Sequence, residues 1–268
     1  MHALTLGPAG TYSHRATLAV VDEVDFVESV TAIVEAVAEG STRRGVVPVE
    51  NSIEGSVTES LDALSRFDVA VVREVISPIR HALLAQSPDF EVVASHSQAL
   101  AQCRDYLEAN HPEARLEAVA STARGVEEAR GDPAIAAIGH PANAGDGLEV
   151  LAADIQDRSS NATRFVVLAP SEERSDAGGK TSVIIYPHLD YSGLLLELLG
   201  VFADRDINLT RIESRPSGNR LGDYLFHLDF AAGLYEERAQ SALAAVEDII
   251  DDDGWVKRLG SYDTVHVV

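Results

Sequence analysis

Short apolar runs alternate with stretches of helical periodicity over the first two-thirds of the chain. Residues 3–6, 24–27, 45–47, 69–75, 80–84, 92–95, 116–119, 135–138 and 165–168 read as strands. Apolar positions at helical spacing cover 13–21, Val30–Ala38, 57–65, 98–108 and 123–129. Such alternation predicts α/β layers with mostly parallel sheets, in which ligands sit beyond the carboxyl ends of strands, near helix N-termini.

The pattern changes after residues 171–179, a polar stretch without periodicity that ends in Gly178-Gly179 and reads as a linker. Beyond it come a strand at 181–186, an amphipathic helix at 193–203 and strands at 207–214 and 223–230. A helix at 236–250 and a last strand at 255–267 complete the chain. The order strand-helix-strand-strand-helix-strand is that of a ferredoxin-like α+β domain. Asp251-Asp252-Asp253 reads as a solvated turn.

Composition narrows the setting. The 268 residues suffice for two domains. At 46% hydrophobic the chain is not a disordered one. No apolar run approaches the ~18 residues of a membrane span. The first residues lack the basic start and apolar core of a secretory signal, and the lone Cys103 cannot form a disulfide within the chain. A cytoplasmic protein is expected. The net charge is −22, and among the 21 basic residues only Lys180 and Lys257 are lysines. An acidic surface of this strength repels nucleic acid and anionic membranes and strains the compact state by self-repulsion, which molar salt screens. It predicts adaptation to a high-salt cytoplasm; an acidic protein from ordinary surroundings is the alternative, which the scarcity of lysine disfavours. An anionic ligand would have to be held by local positive features against that field.

Four segments set small polar residues at the edges of predicted elements. They are Gly7-Pro8-Ala9-Gly10-Thr11-Tyr12-Ser13, Pro48-Val49-Glu50-Asn51-Ser52, Ser121-Thr122-Ala123 and Asn161-Ala162-Thr163-Arg164-Phe165. Helix N-termini bind anions without a net cation, and hydroxyl and amide side chains add orientable hydrogen bonds. Ser13 and Ser121 also read as plain helix caps. Arg164 offers a bidentate fork for a carboxylate. His14, His81, His96 and His140 lie in unrelated segments without metal-ligand spacing, and Cys103 reads as a small core residue.

Taken in order, these segments resemble the prephenate dehydratase family. Gln98-Ala99-Leu100-Ala101-Gln102-Cys103 joins them, and the fullest match runs from Ile155-Gln156-Asp157-Arg158-Ser159-Ser160 through Phe165. Ile212-Glu213-Ser214-Arg215-Pro216 is similar to a signature of the family's ACT domain, so the likeness spans nearly the whole chain. The resemblance implies a two-lobed α/β catalytic domain, built like a periplasmic binding protein, over residues 1–172. One lobe would hold 1–77 plus 163–172 and the other 78–160, with hinge crossings near Ser77-Pro78 and residues 159–162. A ferredoxin-like (βαββαβ) ACT domain would follow over 180–268.

The implied activity is conversion of prephenate, a small dianion, to phenylpyruvate in phenylalanine biosynthesis, with no metal or organic cofactor. Thr163 would assist the departing hydroxyl, Arg164 would bind a substrate carboxylate, and Asn51 and Ser52 would complete the catalytic set. Thr11, Glu50, Thr122, Asn161 and Phe165 would bind or enclose the substrate, with Phe165 packing the floor and Glu50 orienting Asn51 or Arg164. Gly193, Leu194, Leu195, Asn208, Leu209, Glu213, Ser214 and Arg215 would hold L-phenylalanine as an effector between paired ACT domains of a homodimer or homotetramer. Ser192 and Leu194 depart from the proline and alanine usual there, and the larger leucine would narrow the pocket. Arogenate dehydratase and a non-catalytic amino-acid-binding regulator are the competing readings.

Overall fold

The computed structural model describes every residue except Ser159, Asp176, Asp251 and Val268. The hinge, linker and acidic-turn expectations therefore fall partly outside the described residues. The chain begins β1 (His2–Leu6), α1 (Tyr12–Leu18), β2 (Glu23–Val27), α2 (Val30–Ala38), β3 (Gly45–Asn51), β4 (Gly55–Ser56), α3 (Thr58–Arg66) and β5 (Val69–Pro78). Next come β6 (Ala82–Ala85), β7 (Val92–Ser95), α4 (Ser97–Gln102), α5 (Arg104–Asn110), β8 (Arg115–Ala118), α6 (Thr122–Gly131), β9 (Ile135–Gly139) and β10 (Glu149–Ala153). It returns through β11 (Ala162–Pro170) and ends with β12 (Lys180–Tyr186), α7 (Leu194–Ala203), β13 (Leu209–Pro216), β14 (Tyr224–Phe230), α8 (Glu237–Ile249), β15 (Trp255–Tyr262) and β16 (Thr264–His266).

Three sheets result. The first has the order β16-β5-β11-β3-β1-β2 with β4 beside β3, the second β10-β6-β9-β7-β8, and the third β13-β14-β12-β15. The two α/β sheets and the four-stranded antiparallel sheet are the architecture expected. The α/β sheets are mixed, however, not mostly parallel. β5 leaves the first sheet and β11 re-enters it side by side, with Ala162 opposite Pro78, so they must run antiparallel.

Local sequence explains much of this. In α2, Val30, Ile33, Val34 and Val37 recur on one face and are buried, and the Ser29 hydroxyl caps the helix by accepting from Ala32 N–H. The helix expected over 98–108 instead breaks at Cys103, where the Gln102 carbonyl accepts the Asp157 N–H at 2.7 Å. The expected last strand also breaks, at Asp263. β16 leaves the third sheet and runs parallel to β5.

One face of the third sheet packs on α7 and α8 around Phe202, Phe230 and Leu243. Ile184, Tyr186, Leu259 and Tyr262 join a core with α2, α3 and the first sheet, so the C-terminal domain shares apolar packing with the first lobe. The linker is tied down as well: Glu173 pairs with Arg43 at 2.6 Å and Arg44 at 2.7 Å. Gly178, at φ +128° against the Tyr262 backbone, leaves no room for a side chain. Among the described residues no helix is long and apolar enough to cross a membrane.

Candidate active site

A cleft of about 240 Å³ lies between the two α/β sheets, where the chain crosses from one to the other. Its lining comes from both: Thr11, Tyr12 and Ser13 at the start of α1, Pro48 and Asn51 on β3, and Thr163 and Phe165 on β11 form one wall. Ile79 and His81, then His96, Gln98 and Gln102 around α4, and Ser121 and Thr122 at the start of α6 form the other, with Asn161 at the crossing.

A β-bulge aims the central pair. Across β3 and β11, Arg164 faces Glu50 but Phe165 faces Pro48, so Val49 is the extra residue. Pro48, which has no N–H, suits this interruption of the ladder. The bulge turns Asn51 into the cleft, opposite Thr163, and sends Glu50 to the other face. In the cleft the Asn51 side-chain Oδ1 accepts from Ile53 N–H at 2.9 Å and Glu54 N–H at 3.2 Å. These two donors fix the amide, so its Nδ2 donates to Thr163 Oγ1 at 3.0 Å and Asn161 Oδ1 at 3.2 Å.

The relay continues. Asn161 Nδ2 donates to Gln102 Oε1 at 2.9 Å, and that oxygen also meets His81 Nε2 at 2.9 Å. An oxygen already accepting requires His81 to carry its proton on Nε2. The Tyr12 hydroxyl donates to the Arg80 carbonyl at 2.6 Å and lies 3.2 Å from His81 Nδ1, linking the lobes. Burial lowers the pKa of His81, partly offset by Gln102, and burial foremost raises that of Tyr12; both side chains are neutral near pH 7.

Among the described residues no lysine or arginine lines the cleft, and Glu54, with Gln98 donating to its carboxylate, is the one acidic residue there. Positive potential comes instead from helix starts. Thr11 Oγ1 accepts from His14 N–H, His96 Nδ1 from Gln98 N–H and Ser121 Oγ from Arg124 N–H. Three caps, heading α1, α4 and α6, thus face one space.

Of the expected site residues, Thr163, Asn51, Thr11, Thr122, Asn161 and Phe165 line this cleft, with Phe165 buried in its floor. Arg164 does not. Successive strand residues point to opposite faces, so with Thr163 and Phe165 facing the cleft, Arg164 faces the C-terminal domain. There its guanidinium meets Glu74, Asp229 at 2.7 Å and the Tyr262 hydroxyl at 3.0 Å. This corrects the carboxylate-clamp expectation. Glu50 shares that face, its carboxylate 3.8 Å from Arg164, which it is expected to orient, and 3.6 Å from Arg211. Ser52 is engaged elsewhere: its hydroxyl donates to Ser160 C=O and accepts from Ala162 N–H, each at 3.0 Å, which ties the end of β3 to the start of β11.

In the C-terminal domain, Gly193 caps α7 in the left-handed region, Leu194 and Leu209 join the apolar core, and Leu195 is partly exposed. The Asn208 carbonyl accepts from Ala231 N–H. Ser214 is exposed on β13, an edge strand. Glu213 and Arg215 point the other way: Glu213 accepts from Ser56 and Arg215 pairs with Asp62 of the catalytic region. Of the expected effector residues, these two therefore face the catalytic region, on the side of β13 opposite Ser214.

Tyr12 and Gln102, which lie in the matching segments but carry no expected role, and His81 join the site. A lone histidine carries no signal in sequence, and Gln102 reaches the cleft on the face of α4 that it shares with Gln98 and Ala99 at helical spacing.

Comparison with known proteins fits this arrangement. The prephenate dehydratase family profile matches residues 3–173, and that of the ACT domain matches residues 188–248. A prephenate dehydratase of Methanocaldococcus jannaschii is 37% identical over 254 residues, covering 90% of this chain and 91% of its own. One of Lactococcus lactis is 36% identical over 269 residues, covering 96% and 95%. The crystal structure of an Arthrobacter aurescens prephenate dehydratase in complex with L-Phe superposes with a TM-score of 0.87 at 34% identity, covering 98% of this chain and 90% of that one. The chain belongs to the prephenate dehydratase family: it is an enzyme that dehydrates prephenate, with an ACT domain after its catalytic region.

Proposed function

We propose that Thr163 assists loss of the ring hydroxyl of prephenate and that Asn51 aims it. The observation that carries this reading is the 3.0 Å bond in which Asn51 Nδ2 donates to Thr163 Oγ1 at the cleft wall. With one lone pair so occupied, and no acceptor for its proton among the described residues, the threonine hydroxyl is left to donate into the cleft.

The reaction breaks the ring carbon–carboxylate bond and the carbon–hydroxyl bond. The electron pair released with carbon dioxide completes the aromatic ring, and the departing hydroxide takes one proton to leave as water. Aromatisation drives the step, so the cleft has to hold a dianion and stabilise charge growing on the leaving oxygen. A threonine hydroxyl is a weak acid. Preorganised hydrogen bonding is its role, with water supplying the proton. The substrate carboxylates are received by the Ser121 and Thr122 hydroxyls and the first N–H groups of α1 and α6, Thr11 setting the start of α1 through its bonds to the Pro8 carbonyl and the His14 N–H, which suits a lining without cations among the described residues. The test is phenylpyruvate formation by Thr163→Ala, with thermal unfolding as the folding control; near-wild-type turnover would remove Thr163 from the mechanism.

L-Phenylalanine is the effector in this reading, held by Gly193, Leu194, Leu195, Asn208, Leu209 and Ser214. Gly193 lets a ligand approach bare backbone, and the Arthrobacter relative was crystallised with L-Phe. The exposed edge of β13 pairs with a second copy to give a cytoplasmic homodimer, the unit of any tetramer. Calorimetry without phenylalanine binding would leave the ACT domain only its assembly role, and a monomer in sedimentation would remove that as well.

A further inference from the structure

We infer that Ser56, gripped from the ACT domain by Arg211 and Glu213, is a positioning residue that holds Asn51 in its working orientation. The inference rests on the catalytic reading of Asn51 and Thr163. β4 is only two residues long and folds back on β3, with Gly55 opposite Asn51 and Ser56 opposite Glu50. The turn between them carries the Ile53 and Glu54 N–H groups that fix the Asn51 side-chain Oδ1. Whatever places this turn therefore places the amide that directs Thr163.

Two anchors hold the turn. At its near end Ser52 is bonded to the start of β11. At its far end the Ser56 hydroxyl accepts from Arg211 Nη2 and donates to Glu213 Oε2, both at 2.8 Å. These are charge-assisted bonds from two alternate residues of one ACT strand, β13. Arg211 is itself fixed, with Nε 3.6 Å from Glu50 and Nη1 4.0 Å from the buried Asp229. The contacts then run without a gap from β13 through Ser56 and the turn to Asn51 and Thr163. On the same strand Ile212 and Ser214 face the opposite way and are exposed, so a displacement of β13 from that side reaches the cleft through Ser56.

The experiment is steady-state phenylpyruvate formation by the full chain carrying Ser56→Ala, Ser56→Thr, Glu213→Gln or Asn51→Ala, and by the double variant Ser56→Ala/Asn51→Ala. Thermal unfolding of each controls for folding. Ser56→Ala and Glu213→Gln are expected to lower kcat about tenfold with KM nearly unchanged, the effect of losing one charge-assisted hydrogen bond behind a transition-state contact. Ser56→Thr, which keeps the hydroxyl, recovers most of it. In the Asn51→Ala background Ser56→Ala adds nothing further, whereas a merely structural role would multiply the loss. Wild-type kcat in Ser56→Ala beside an impaired Asn51→Ala overturns the inference alone. Wild-type kcat in Asn51→Ala removes the catalytic reading and the inference together.

Discussion

Replacing Arg164 by methionine separates its two possible roles. In the structure its guanidinium is buried at the junction of the first sheet and the ACT domain, among Glu74, Asp229 and Tyr262. Removing one partner of a buried ion pair costs about 3–5 kcal/mol, because the remaining charge is left desolvated. Lys180 stays 2.6 Å from Glu74 and Arg211 stays 4.0 Å from Asp229, so each carboxylate keeps a cation. The loss then falls at the low end, about 3 kcal/mol. For a chain of about this size that is roughly 6–12 °C in Tm.

The same variant has a pH signature. Burial pushes Asp229 and Glu74 up, but Arg164 and its neighbours outweigh it and hold both below the usual carboxylate range. Their depressed pKa values give stability that is present above the unfolded values and lost as pH falls through the folded ones. Without Arg164 both rise, and acid unfolding moves to higher pH. Thermal unfolding across pH and prephenate kinetics on Arg164→Met are the assays. A large rise in KM with Tm unchanged would refute the assignment and restore the clamp.

Three further outcomes follow from the same coordinates. With a net charge of −22 the unfolding midpoint should rise between about 0.1 and about 2 M KCl, as the screening length shrinks from about 10 Å to about 3 Å or less; equal stability at both ends the self-repulsion account. Burial, with Arg211 for His227 and with Arg15 and Arg80 for His140, holds both imidazoles down at about 4. Their contribution is complete above the ordinary value of 6.5 and is lost as pH falls from there toward 4, so urea midpoints should drop over that window, and less steeply in His227→Gln. A Cβ on Gly125 would lie 2.6 Å from the Ala94 carbonyl oxygen, so Gly125→Ala should displace the start of α6, raise KM for prephenate and cost about 1–3 kcal/mol; unchanged KM would detach Ser121 and Thr122 from substrate binding.

How far the sequence could be read follows from which features are local. α2 was legible to the residue because its apolar spacing and its Ser29 cap agree. Asn51 and Thr163 were legible as members of polar clusters beside apolar runs. The pairing of Thr163 with Arg164 as two ligands of one substrate was not compatible with a strand, whose alternation separates neighbours, and the same alternation splits Glu213 and Arg215 from Ser214. The bulge at Val49 has one local mark, Pro48, but its effect on Asn51 appears only with β11 alongside. Sheet direction and the departure of β16 both depend on partners far along the chain. His81 lacked any pattern of its own and acquires meaning only through Gln102 and Tyr12.

The account centres on one hydroxyl proton directed at the substrate's leaving oxygen. Its sharpest test is kcat for Thr163→Ser beside Thr163→Val, which differ in whether that proton exists while both fit the strand. Serine should retain much of the turnover, and valine should lose about 10²–10³-fold, the effect of deleting one preorganised donor, with Tm close to wild type. A valine enzyme that forms phenylpyruvate as fast as the serine one would contradict the account.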